Sequence, residues 1–128
     1  MQKMCVIGAG SWGSALALSL YKNNHKVFMW TRDIEQVEEI RTTKINSKFL
    51  PGIVFPKDLI VSNDLEEVIL DSEIIVLAVP SQAVRSVCKQ IKPYVKDNQI
   101  LVDVAKGLEK GTGLRLSDVV KEELPNNP

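Results

Sequence analysis

The chain has 128 residues, 45% of them hydrophobic, which is enough for one buried core and too little for two domains. Sixteen basic residues balance sixteen acidic ones, so no surplus of positive charge draws the chain to nucleic acid or an anionic membrane, and any phosphate must be gripped by local geometry. No stretch approaches the roughly 18 consecutive apolar residues of a membrane span, and the N-terminus runs straight into an apolar strand with no leader-like segment, so the expected location is cytoplasmic.

The first element is the apolar run Met4-Cys5-Val6-Ile7, fit for a strand buried on both faces of a parallel sheet. Gly8, Gly10 and Gly13 follow at G-x-G-x-x-G spacing and lead into a helix over Trp12 to Tyr21 that is apolar nearly all round. Strand, glycine triplet and helix in that order are what a dinucleotide's pyrophosphate requires. Gly8 permits the tight turn, Gly10 lets backbone approach the diphosphate without a Cβ in the way, and Gly13 lets the helix pack closely on the sheet. The helix N-terminus then offers unpaired N–H groups to the anion. His25 falls in the polar turn before a second apolar strand, Val27 to Trp30, and reads as a solvated loop residue.

Asp33-Ile34-Glu35-Gln36 has the form of a capping box, with Ile34, Val37 and Ile40 continuing at helical spacing. From Thr42 to Lys57 the periodicity fades into a connection longer than α/β units normally use, and long loops of this kind are often functional. Leu59-Ile60-Val61 predicts a third strand, and Asp64 to Glu67 a second capping box that opens a short helix. Ile74 to Val79, closed by Pro80, is the most strand-like segment and predicts the central strand. Ser81 is positioned to cap the next helix, on which Val84, Val87, Cys88 and Ile91 share one face. Ile100 to Val104 predicts a fifth strand, and Leu116, Val119, Val120 and Leu124 a last helix. Cys5 and Cys88 lie in apolar surroundings without metal-ligand or redox spacing and read as reduced core thiols.

Alternating strands and helices predict a single domain of class α/β, a doubly wound parallel sheet in strand order 3-2-1-4-5 with right-handed crossovers. Its ligand crevice lies at the carboxyl ends of the first and fourth strands, where the order reverses. Arg32 stands about two dozen residues after Gly8, where NAD-selective domains place an acidic group on the ribose. A guanidinium there pairs with a 2′-phosphate or stacks on adenine, so NADP should be accepted at least as well as NAD. Pro80 either crosses the dinucleotide or simply ends its strand. Lys106 either meets a substrate phosphate or is a solvated loop lysine. Trp12 lies inside the motif on the nicotinamide side, and Phe49 either lines the crevice or anchors its loop.

Five segments together resemble the bacterial-type NAD(P)-dependent glycerol-3-phosphate dehydrogenases: Val6 to Ala17, Met29 to Asp33, Phe49 to Gly52, Leu77 to Gln82 and Ala105 to Glu109. The resemblance implies a Rossmann-like domain and the interconversion of dihydroxyacetone phosphate and sn-glycerol 3-phosphate, a step toward glycerophospholipids. It implies cofactor contacts, to NADP or NAD, at Ser11, Trp12, Arg32 and Lys106, with Phe49 standing where the family usually has an aromatic and Lys106 also facing the phosphorylated substrate. Family members continue into a further strand and a helical domain that carries the catalytic lysine. The expectation is therefore a cofactor-binding domain over 1–128 whose sheet is incomplete at its C-terminal side, with no catalytic residue of its own, no metal, and a tendency to homo-oligomerise through the open edge. The alternative is a dinucleotide-binding module without catalysis. A ketopantoate reductase shares the N-terminal architecture, but the Phe49 to Gly52 and Ala105 to Glu109 segments argue against it.

Overall fold

The computed structural model describes residues 2–105 and 107–127. Among these residues seven strands and five α-helices follow one another as β1 (Lys3–Ile7), α1 (Ser11–Lys22), β2 (Lys26–Trp30), α2 (Ile34–Thr43), β3 (Ile45–Asn46), β4 (Leu50–Val54), β5 (Ile60–Ser62), α3 (Leu65–Ile69), β6 (Ile74–Leu77), α4 (Val84–Ile91), β7 (Ile100–Asp103) and α5 (Leu116–Glu123). Five strands form one sheet in the order β5-β2-β1-β6-β7, and each neighbouring pair is parallel. With β3 and β4 set aside, this is the order 3-2-1-4-5 that the sequence predicts.

Alternation along the strands decides which helices cover which face. Cys5 and Ile7 of β1 and Ile75 and Leu77 of β6 point to one side, into a core completed by α3, α4 and α5 through Val68, Val84, Val87, Ile91 and Val119. Val6, Val27, Met29, Val61 and Val76 point to the other side and meet Ala17 of α1, Val37 and Ile40 of α2, and Phe55. Both cysteines are buried free thiols, and desolvation pushes each up to about 12, so neither ionises at neutral pH. The α1 and α2 layer stops short of β7. Ile100 and Val102 there remain exposed, at 44% and 39%.

Several local expectations change. Helix α1 is covered on one face only: Gly13, Ser14 and Ala17 are buried, whereas Trp12 and Ala15 are exposed. Strand β6 ends at Leu77 instead of Val79, because the next residue, Ala78, is where the glycine turn and the start of α1 pack against the chain. Ser81 does not cap α4. It opens a 3-10 turn, Ser81–Ala83, tightened by the Ala83 N–H donating to the Pro80 carbonyl at 2.8 Å, and α4 starts only at Val84. The segment read as an aperiodic loop contains an antiparallel hairpin, β3 against β4, followed by Phe55 at 1% exposure.

Candidate cofactor site

The site begins with the register of β1. Ile7 lies between Trp30 and Leu77, so the chain leaves the centre of the sheet at its carboxyl edge and turns at once. The Gly8 N–H donates to the Trp30 carbonyl at 2.8 Å. Gly8 has φ +122°, and a Cβ there would fall 2.9 Å from the Ala78 carbonyl carbon and nearer still to its oxygen, so both conformation and space demand glycine. At Gly13 a Cβ would lie 3.0 Å from the Gly8 carbonyl carbon and 3.3 Å from Ala78 Cβ. The first turn of α1 is thus set directly on the glycine turn.

Gly10 differs from both. It is the N-cap of α1 at φ −74° and ψ −170°, ordinary extended backbone, and a Cβ built on it meets nothing within 4 Å. Internal packing does not require glycine here. The space it leaves open lies over a helix N-terminus that no side chain caps and whose first turn has no acidic residue. By contrast, Asp33 caps α2 by accepting from the Glu35 and Gln36 N–H groups, and Asp64 caps α3 in the same way. A helix start that no side chain caps, with no acidic residue in its first turn and open space at its N-cap, fits a diphosphate.

A polar network lies beneath the cradle. The Ala9 carbonyl accepts from Gln36 Nε2 at 2.7 Å, from Asn46 Nδ2 at 2.8 Å and from Ser14 Oγ at 3.3 Å. Asn46 Nδ2 also donates to Ser14 Oγ, and Thr31 Oγ1 donates to Gln36 Oε1. Asn46 and Ser14 are fully buried. Gln36 was expected to return a capping-box bond to Asp33, but its amide is taken by the glycine turn, and the Asp33 N–H donates to Thr31 Oγ1 instead. The hairpin is tied down at two further points. Ser11 Oγ donates to the Phe49 carbonyl at 2.7 Å, and the Ser47 hydroxyl and amide both donate to Glu39, holding that carboxyl below its ordinary range.

The remaining sequence candidates gather loosely around this edge. Arg32 follows β2, is exposed, and has no hydrogen bond or ion pair with any described residue. Trp12 is 67% exposed on the first turn of α1, and Phe49 is 36% exposed at the tip of the hairpin. Pro80 is exposed just beyond β6. Lys106 lies outside the described residues. A cleft of about 190 Å³ between α2 and the hairpin is lined by Asp33, Glu35 and Glu39 together with Gln36, Asn46 and Phe49, and its three carboxylates disfavour a phosphate there. Sequence reasoning missed Thr31, Gln36 and Asn46, and the one available signal was a long polar connection placed right after α2. The segment after β7 is organised by Arg85 of α4, which forks to both carboxylate oxygens of Glu109 and also reaches Glu122 and Glu123.

Comparison with known proteins gives these features a family. The family described as NAD-dependent glycerol-3-phosphate dehydrogenase N-terminus matches residues 3–128. A Fusobacterium nucleatum protein named glycerol-3-phosphate dehydrogenase [NAD(P)+] is 47% identical over 97% of this chain and 37% of its own length. A relative of the same name from Clostridium acetobutylicum is 46% identical over 95% of this chain and 37% of its own. Among solved structures, glycerol-3-phosphate dehydrogenase from Coxiella burnetii superposes with a TM-score of 0.89 at 35% identity, covering 96% of this chain and 38% of that one. The chain therefore spans little more than a third of the length of these relatives.

Proposed function

The chain belongs to the NAD-dependent glycerol-3-phosphate dehydrogenase family, and from that membership we propose that it forms the part of such an enzyme that grips NADP or NAD. The reaction served is the interconversion of dihydroxyacetone phosphate and sn-glycerol 3-phosphate. The observation that carries the reading is the open space over Gly10 at the uncapped start of α1, beside two glycines that packing does require.

In this reading the N–H groups at the start of α1 bind the diphosphate, Ser11 and Trp12 flank it, and Arg32 pairs with the 2′-phosphate or stacks on the adenine. Pro80 and Phe49 border the dinucleotide where β6 and the hairpin reach the same edge. Lys106 is assigned a cofactor contact and a cation toward the substrate phosphate from its sequence position after β7 alone. Bound nicotinamide supplies the hydride. The proton donor and the substrate's phosphate clamp are assigned to a further domain of such an enzyme, beyond residues 1–128. The reading extends to a cytoplasmic role in glycerophospholipid synthesis. No helix among the described residues is long and apolar enough to cross a membrane. Exposed Ile100 and Val102 on the edge strand support association with a second copy or with that further domain.

The test is direct. The purified chain should bind NADPH yet show no turnover of dihydroxyacetone phosphate, because positioning by the donor and the clamp supplies much of the barrier reduction. Turnover by the pure chain, abolished by Lys106→Ala, would overturn the division of labour. Failure to bind either cofactor would overturn the reading itself.

A further inference from the structure

We infer that Asn46, acting with Gln36, is a positioning residue for the diphosphate cradle: from beneath, it holds the Ala9 carbonyl inward so that the Gly10 N–H is aimed at the ligand. The inference rests on the cofactor reading above and assigns work to a hairpin that none of the strand or helix patterns foretold.

The geometry follows from one peptide plane. The Ala9–Gly10 peptide is trans, so its C=O and N–H point in opposite directions. Two amide donors hold the C=O side, Gln36 Nε2 at 2.7 Å and Asn46 Nδ2 at 2.8 Å, with Ser14 Oγ behind them at 3.3 Å. The N–H side therefore points away from those donors, and Gly10 itself borders open space. A glycine flanked by another glycine two residues earlier has little backbone stiffness of its own, and an unrestrained peptide there can rotate its carbonyl toward the anion, reversing the dipole the ligand needs.

The network also fixes its own members. Gln36 is oriented by Thr31 Oγ1, which donates to its Oε1 at 2.8 Å, and Gln36 Nε2 donates in turn to Asn46 Oδ1 at 3.3 Å. Asn46 is fully buried, and its amide has a partner on both atoms, an arrangement that specifies one orientation. Gln36 and Asn46 both act on the Ala9 carbonyl, so in this inference their effect on binding passes through the loop.

Asn46→Asp keeps shape and volume but faces the Ala9 carbonyl with a carboxylate oxygen in place of a donor. The purified chain and this variant are titrated with ADP, which carries the diphosphate, and with adenosine, which lacks it, while the Gly10 amide resonance is followed by NMR. The expected result is at least a tenfold loss for ADP with adenosine within twofold of wild type, together with a displaced Gly10 amide. The ADP loss relative to wild type should shrink as pH falls and the introduced carboxyl gains a proton that it can donate to Ala9. Equal losses for ADP and adenosine, or unchanged ADP affinity in the folded variant, would overturn the inference while leaving the cofactor reading intact. If wild type itself fails to bind ADP, the cofactor reading falls and this inference with it. Should Asn46→Asp fail to fold, Gln36→Met at the half-buried neighbour carries the same test, with a three- to tenfold loss expected for ADP alone.

Discussion

Replacing Gly10 by valine separates binding from folding, because the two demands on the glycine triplet fall on different members. Gly10 sits at φ −74° and ψ −170°, which a β-branched residue adopts without strain, and its Cβ would enter space with no atom within 4 Å. Removing a glycine restricts the unfolded chain and stabilises the fold by about 0.4–1 kcal/mol. Losing glycine at an N-cap costs a similar amount, so the net change stays within about 1 kcal/mol. Binding responds differently. The isopropyl group occupies the cradle and moves the diphosphate off the α1 N–H groups, each worth ~1.5–3 kcal/mol as a charge-assisted bond. One lost bond is roughly ten- to a hundredfold in affinity, and two take it beyond a hundredfold. Thermal melts of wild type and Gly10→Val, paired with calorimetric titration by NADPH, read both quantities. A variant that melts like wild type and no longer binds is expected. Undiminished affinity would put the diphosphate elsewhere, and a collapsed fold would refute the claim of open space.

Gly13→Ala should do the reverse, destabilising the chain by about 1–3 kcal/mol despite alanine's helix propensity, because the added methyl meets the Gly8 backbone and Ala78; an unchanged urea midpoint would contradict this. Arg32→Ala should weaken NADPH about ten- to a hundredfold and NADH much less, since a single charge-assisted phosphate contact is removed. Equal losses in parallel titrations would remove the 2′-phosphate role. Hydrogen bonds from Arg85, and then from Thr112, hold Glu109 down at about 2 against an ordinary 4.5, so its contribution to stability is complete above pH 4.5 and is lost as the pH falls toward 2. Urea midpoints measured across that window should fall less steeply for Arg85→Met than for wild type, and parallel curves would refute the pairing.

The parallel sheet was legible because strands covered on both faces must be apolar throughout, and the runs at Val6, Met29 and Ile75 could be little else. The glycine triplet was legible as a spacing, and packing against Ala78 leaves few alternatives to glycine at Gly8 and Gly13, whereas the fold itself accepts a Cβ at Gly10. The hairpin was not. Strand β3 has two residues, and β4 contains Pro51 and Gly52, so neither offers a period-2 pattern, and the polar turn between them looks like any solvated loop. Asn46 is the clearest case, since its sequence neighbourhood gives no sign that it is fully buried against a backbone some forty positions earlier. Gln36 misled in a different way. A capping box and a tertiary contact demand the same residue at the same place, and here the Thr31 hydroxyl had already taken the Asp33 N–H, leaving the Gln36 amide for Ala9.

The most direct measurement is an NMR titration of the isotopically labelled chain with NADPH. Saturable one-to-one binding is expected, with the largest amide shifts from Gly8 to Gly13 and at Arg32, and with little change at the acidic cleft around Glu35 and Glu39. Shifts centred on that cleft, or a spectrum that NADPH leaves unmoved at millimolar concentration, would contradict the assignment of the glycine turn as the cofactor cradle.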